Sequence, residues 1–489
     1  MNESYHQFNP EKGLYLKEIK QFQVGDGAHI DFANSESGLS LPLAVEAKLA
    51  KQRQEKAQQK LDEIRKMNKE GTFGVPGRIA KIRIGGRMMT MDKYAEQFGH
   101  YPTLSELVIS PRGKTKIAHR ADIDLRLSKE YIDSYTQNDL FLQENPHLKF
   151  PFSGNHPIFS APMDSITDGK VARILASKNI VSCLPRAKNL SEHEANKQLA
   201  QESAQNNYPW VFSVGVNGLE GMNAFEEAKQ LVEAGAKMIL VDTAHGGQER
   251  VGNLAVKIQS ELKVPVIVGS LGSFDQAKEL YDRGIRYFRF GVGSGAYCTT
   301  SMTTAVGSIP TMASELTAKL TGSMVILDGG LNTQTKEAYY IDENGKTQRR
   351  QNSPTYRNIP ASFTLNENPD NCITAIMCGS SLRAIDSPRV VQDENGNYWH
   401  NGRGQASRDY SKESGVNTEA STYLHEGVSD STLVGDSLEK RADEIIAAWR
   451  SASSYAGAEN LEQYYKNTIL VPGGSLYLGT YARDRNGDK

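Results

Sequence analysis

A chain of 489 residues with 38% hydrophobic residues and 43 glycines suits one large barrel with extensions, or two to three ordinary domains. A formal net charge of −2 leaves no global electrostatic footprint for nucleic acid or an anionic membrane, so neither is expected as a partner. The sequence has no apolar run of the ~18–20 residues that span a bilayer.

The amino-terminal segment MNESYHQFNPEKGLYLKEIK is charged and lacks the apolar core of a secretory signal. The four cysteines, Cys183, Cys298, Cys372 and Cys378, form no Cys-x-x-Cys pair. That pattern argues against a disulfide framework or zinc knuckle and for a reducing compartment, so the cytoplasm is the expected location.

Residues 1–106 read as an extension. Within it, the stretch from Leu41 to Lys69 is dense in Ala, Lys, Gln and Glu with apolar residues at helical spacing, which predicts a long, half-solvated helix. Residues 107–475 are expected to form the catalytic domain and 476–489 a tail. From about Pro157 short β-rich runs alternate with amphipathic helices. The strand candidates are PIFSAP, IVSCLP, WVFSVGV, MILVDTA, PVIVGS, YFRFGV, MVILDGG and TAIMCGS. Helical segments such as DGKVARILASK, NAFEEAKQLVEAG and SFDQAKELYDRG lie between them. Eight apolar strands alternating with helices predict an α/β fold, a (β/α)₈ TIM barrel, with a doubly wound open sheet as the alternative. Most strands end in Gly, Ser, Asp or Thr, the positions that line a barrel's mouth.

Two segments break this rhythm. An insertion at 331–370 carries YYIDENGKTQRR, whose Asn-Gly tip predicts a hairpin, followed by a polar stretch. A flap at 388–431 carries a second hairpin candidate, RVVQDENGNYWHNGRG, and Ser-rich sequence. Long loops at a barrel mouth are usually lids or binding loops. The helix LEKRADEIIAAWRSASSY is expected to close the fold.

The segment FGVGSGAYCTT, residues 290–300, points to chemistry. Its glycines permit positive φ and close backbone approach to a ligand. A cysteine on such a loop, at a strand's carboxyl end, suits a nucleophilic sulfur. The plain alternative is a small residue in a turn.

This segment resembles the catalytic loop of the IMP dehydrogenase/GMP reductase family, Gly-x-Gly-x-Gly-x-x-Cys-x-Thr. SAPMD, VDTAHGG, DGG, CGSS, HEGV and WRSASSYAGAENLEQ resemble further family segments in the same order. The resemblance covers roughly residues 107–475 and implies an oxidoreductase acting on a purine nucleotide. Its nucleophile would be Cys298, forming a thioether with C2 of the base, with Thr300 bonding the attacking or leaving group. Substrate contacts implied are Met163, Asp328 on the ribose hydroxyls, and Gly329, Gly330, Gly379 and Ser380 on the phosphate. Glu426 would meet the purine edge, and Asp242, Thr243 and Ala244 the cofactor, NAD or NADP. The carbonyls of Gly293, Gly295 and Cys298 would form a monovalent-cation site for potassium. The resemblance also implies a homotetramer.

Some positions depart from the family pattern. The regulatory (CBS) module common in the dehydrogenases is missing between IVSCLP and WVFSVGV. Ala296, Ala161 and Ser270 replace frequent family residues. Arg349, Arg350 and Arg357 of the insertion would either replace phosphate contacts or lie solvated at the surface. The dehydrogenases carry an Arg-Tyr pair on the flap that activates water, for which Arg408 and Tyr410 are the nearest candidates. VDTAHG favours the dehydrogenase, with IMP, NAD and water giving XMP and NADH. The alternatives are a GMP reductase, using NADPH and releasing ammonia, and a non-catalytic scaffold.

Overall fold

A computed structural model describes residues 117–331, 338–350, 356–414 and 424–472, together with Leu104, Leu107–Pro111 and six short strands before residue 91. The long helix expected over residues 41–69 lies outside the described residues. The chain divides into two compact units, Met1–Phe73 and Gly74–Lys489. In the first, Phe8–Asn9 pairs with Leu14–Tyr15 and Phe22–Val24 with Ala28–Ile30, all antiparallel. Sequence reading had found no strands there.

The second unit contains a closed, parallel eight-stranded barrel. Its strands, here β1 to β8, are His156–Ser160, Ile180–Leu184, Trp210–Val214, Ile239–Asp242, Val266–Leu271, Tyr287–Phe290, Ser323–Asp328 and Cys372–Cys378. Each corresponds to one of the eight runs singled out above. Nearly every strand residue is buried because helices cover the outside and side chains fill the inside.

The helices that cover the barrel, one after each strand and here α1 to α8, are Gly169–Ser177, Leu190–Asn206, Ala224–Glu233, Glu249–Leu262, Phe274–Asp282, Ala313–Lys319, Asn358–Phe363 and Leu438–Tyr455. Polar caps start them where the sequence allows. Asp168, Asn189, Asn223, Ser273 and Ser437 each accept a bond from the backbone N–H three residues on, satisfying a donor the helix leaves open. Closing helix α8 buries Trp449, whose ring stacks on Phe363 of α7 with centroids 3.7 Å apart. Leu107–Pro111 pairs antiparallel with Thr468–Pro472, both within the second unit.

The expected polar stretch of the insertion contains the buried helix α7. Pro360 falls in its first turn, where the missing N–H costs nothing, and Ile359 and Phe363 pack against the barrel. The insertion's hairpin forms, with Tyr339–Ile341 against Thr347–Arg349. The flap's hairpin also forms, Val390–Gln392 against Tyr398–Arg403, and a third strand, Ser429–Val434, completes a sheet that the sequence had not suggested.

Candidate active site

At the carboxyl ends of the strands lies a cavity of about 400 Å³. Its wall combines the turn after β1 (Ala161, Met163), the end of β4 (Asp242, Thr243, Ala244), the loop after β6 through Cys298 and Thr300, and the turns after β7 and β8. Glu426 and Gly427 close it from the flap side.

The cysteine loop sits where it does because glycine lets it. Gly291, with φ +146°, lies so close to Asp328 that a Cβ there would meet the Asp328 carbonyl oxygen at 2.0 Å. Gly329, with φ +81°, passes against Ser294 and the Gly295 amide. The Ser294 hydroxyl then donates to the Asp328 carbonyl at 2.7 Å, and the Gly330 amide donates to the Ser294 carbonyl at 2.9 Å. The loop after β6 and the turn after β7 are thus one packed unit.

Cys298 is half-buried, and its thiol donates to the Thr300 hydroxyl oxygen at 3.2 Å. The other three cysteines are fully buried, and burial pushes the Cys372 and Cys378 thiols up to about 12. Those sulfurs are packing residues. The Thr299 amide donates to the Glu426 carbonyl at 2.8 Å, and Cys298 and Gly427 form an antiparallel bridge, so the Glu426 segment is fixed against the cysteine loop.

The floor of the cavity is charged. Arg289 of β6 points between two carboxylates, donating from Nε and Nη2 to Asp328 Oδ2 at 2.9 and 2.7 Å and from Nη1 to Asp242 Oδ1. Burial alone would lower the Arg289 pKa, but Asp328 and Asp242 overcome it and raise the pKa. Asp242 Oδ2 is buried with no partner among the described residues. Arg186, after β2, also lines the cavity and reaches the Asp242 carbonyl oxygen at 3.5 Å.

The flap is held by ion pairs. Arg403 is 1% exposed and donates to Asp164 and, at 2.6 Å, to Glu413. Lys188 lies 3.1 Å from Asp164. Arg403 above all holds the Glu413 carboxyl down at about 2.

The cavity gathers most of the residues expected from the sequence: Met163, Asp242, Thr243, Ala244, Gly293, Gly295, Cys298, Thr300, Asp328, Gly329, Gly330, Gly379, Ser380 and Glu426. Two stand apart. Arg408 is exposed and outside the wall, and Tyr410 is buried behind it, with Arg403 5.2 Å over its ring and Arg186 also beside it. Arg349 pairs with Glu444 of α8 and Arg357 donates to backbone carbonyls of Leu104 and Leu107, so neither serves the cavity. Sequence reading missed Arg186 and Arg289. Arg289 had a signal, a charged residue inside the apolar run YFRFGV; Arg186, in a loop, had none.

The fold and cavity are those of a (β/α)₈ barrel with a cysteine loop, a carboxylate turn and a flap gathered at its mouth. Residues 138–339 match the IMP dehydrogenase / GMP reductase domain. An inosine-5′-monophosphate dehydrogenase of Cryptosporidium parvum is 24% identical over 332 residues, 62% of this chain and 74% of that relative. Another from Helicobacter pylori is 25% identical over 267 residues, 51% of this chain and 48% of the relative. One from Streptococcus pyogenes is 24% identical over 262 residues, 51% and 47% respectively. The chain spans about half the length of the bacterial relatives it matches. Residues 138–339 thus carry an IMP dehydrogenase / GMP reductase domain, and the curated relatives similar to the chain are IMP dehydrogenases.

Proposed function

We propose that this chain is an IMP dehydrogenase, converting IMP, NAD and water to XMP and NADH through a covalent adduct at Cys298. The observation carrying this reading is the 3.2 Å Cys298–Thr300 contact in a cavity that also holds Asp328 and Glu426. The names of the relatives agree with it.

In this reading the Cys298 thiol gives up its proton and the sulfur bonds to C2 of the purine, opening the C2=N π bond, whose electron pair moves to the ring nitrogen and takes up that proton. Thr300 exchanges its bond to the thiol for one to the attacking or leaving group. Asp328 accepts from the ribose hydroxyls, and Gly329, Gly330, Gly379 and Ser380 donate to the phosphate. Met163 packs against the nucleotide, and Glu426 bonds the N1 edge of the base. The unpartnered Asp242 Oδ2 is an open acceptor for an amide, so the residues fit a nicotinamide held by Asp242, Thr243 and Ala244. When bound, NAD supplies the acceptor for the two electrons and hydrogen lost from C2. Water then attacks C2 and the carbon–sulfur bond breaks, returning the electron pair to Cys298. We assign water activation to the flap, with Tyr410 and an arginine partner: Arg408 if the flap moves, or Arg186, which already adjoins Tyr410.

The Gly293 and Gly295 carbonyls accept bonds from Ser301 and the Cys298 amide. Each oxygen keeps a second lone pair, and with Cys298 they would hold a potassium ion that orders the loop. A homotetramer in the cytoplasm completes the proposal, the latter supported by four unpaired cysteines.

One observation favours the reductase as a second reading. Residues 185–189 alone join β2 to α2, leaving no room there for the regulatory module usual in the dehydrogenases. Absorbance at the reduced-cofactor band separates the two. IMP with NAD is expected to give NADH. NADPH oxidation by GMP without any NADH from IMP would transfer the assignment to the reductase.

A further inference from the structure

At the opposite end of the barrel, beneath the starts of β1 and β2, lies a second cleft of about 550 Å³. Arg120, His156, Lys178, Asn179, Asp443 and Arg450 of α8 contribute to its wall. Lys178 is neutralised by Asp443 at 2.9 Å. Arg120 and Arg450 have no carboxylate partner among the described residues, and Arg450 Nε is buried without any hydrogen-bond partner. The cleft therefore carries two uncompensated guanidinium groups.

His156 adds a different requirement. It is 3% exposed, and its Nδ1 is buried with no partner. The ring bonds the Leu125 backbone, and burial pushes its pKa down to about 4, so near neutrality it is uncharged. With its proton spent on Leu125, it presents a lone pair at Nδ1. A buried acceptor without a partner, near the unpartnered Arg450 Nε and the exposed Arg120 guanidinium, asks for a ligand with anionic oxygens and one O–H group.

We propose that this cleft binds a hydrogen-bearing phosphate, with Arg120 and Arg450 on the anionic oxygens and His156 Nδ1 accepting from P–O–H. Inorganic phosphate and a singly protonated phosphomonoester share this chemistry; phosphomonoesters reach that form near pH ~6. Sulfate has the same shape and no proton to offer.

Equilibrium dialysis of the full chain against radiolabelled orthophosphate at pH 6 tests the site. The double variant Arg120→Gln/Arg450→Gln leaves the barrel mouth intact, so binding there is a common background. It is expected to lose one equivalent of phosphate or bind it at least about tenfold more weakly, the usual scale for charge-assisted bonds, with turnover unchanged. Arg120→Gln alone, at an exposed position, is expected to weaken binding several-fold and covers the case in which Arg450 is needed for folding. Sulfate is expected to displace that equivalent poorly. Ribose 5-phosphate displacing it would identify an organic phosphomonoester as the source, and failure to do so would identify inorganic phosphate. Unchanged phosphate uptake in both variants would overturn the proposal, as would displacement by sulfate as effective as by unlabelled phosphate.

Discussion

Arg289 and Asp328 form a forked contact in which two guanidinium nitrogens converge on one carboxylate oxygen, Oδ2, at 2.9 and 2.7 Å. This leaves Asp328 Oδ1 as the oxygen facing other partners. Since Arg289 also holds Asp242, one side chain sets the spacing between the carboxylates proposed for ribose and for cofactor. Arg289→Lys keeps the charge and loses the fork. It is expected to retain the fold while weakening nucleotide binding about tenfold, read by calorimetric titration with IMP. Arg289→Met strands the buried Asp242 carboxylate and the half-buried Asp328 and is expected to cost about 3 kcal/mol of stability, read by denaturant unfolding.

Asp328→Ala should affect binding more than chemistry. Loss of charge-assisted contacts to the ribose hydroxyls is expected to cost about 2–3 kcal/mol in IMP affinity. An unchanged dissociation constant would mean that the ribose is held elsewhere.

Glu227 on α3 is 2% exposed, and burial pushes its carboxyl up to about 7 from 4.5, partly opposed by Arg186. A folded-state pKa above the unfolded one means the group favours folding most below pH 4.5. That contribution is lost as pH rises to about 7, with a total of about 3–4 kcal/mol at ~1.4 kcal/mol per unit. Glu227→Gln is expected to flatten the stability profile between those limits and to melt higher than the parent at pH 8. Identical profiles for the two proteins would remove Glu227 as the cause.

Arg403 lies over the Tyr410 ring but is paired with Asp164 and Glu413, which leaves Arg186 and Arg408 as the two candidates for water activation with Tyr410. Arg186 lines the cavity; burial opposes its charge, but Asp242, Tyr410 and Glu227 keep it cationic. Arg408 is exposed in the flap. Arg186→Lys is expected to slow steady-state turnover roughly 10²-fold while sparing the initial burst of NADH, and Arg408→Ala to stay within about twofold of the parent. A 10²-fold loss in Arg408→Ala with an intact burst would instead show that the flap carries Arg408 into the cavity.

The barrel was legible because its strands are short apolar runs ending in small or polar residues, and burial on both faces demands that pattern. The cysteine loop was legible because close approach to the Asp328 turn requires glycine at Gly291 and Gly329. Other features depend on contacts distant in sequence. Helix α7 is six residues long, contains proline and follows a polar stretch, so its burial against Trp449 of α8 left no local periodicity. The flap's third strand, SDSTLV, is mostly exposed and pairs with residues about 30 positions earlier. Arg186 meets Tyr410 across more than two hundred residues, and no spacing in the chain announces it.

The central claim is that Cys298 is bonded to the purine during turnover. Acid quenching of the enzyme during steady-state reaction with IMP and NAD, followed by intact-mass measurement, tests it most directly. A mass increase equal to the oxidised nucleotide is expected, mapped by peptide analysis to Cys298 and missing from a folded Cys298→Ala variant that makes no NADH. Steady NADH production with unmodified Cys298, or a Cys298→Ala variant retaining more than a few per cent of activity, would contradict the account.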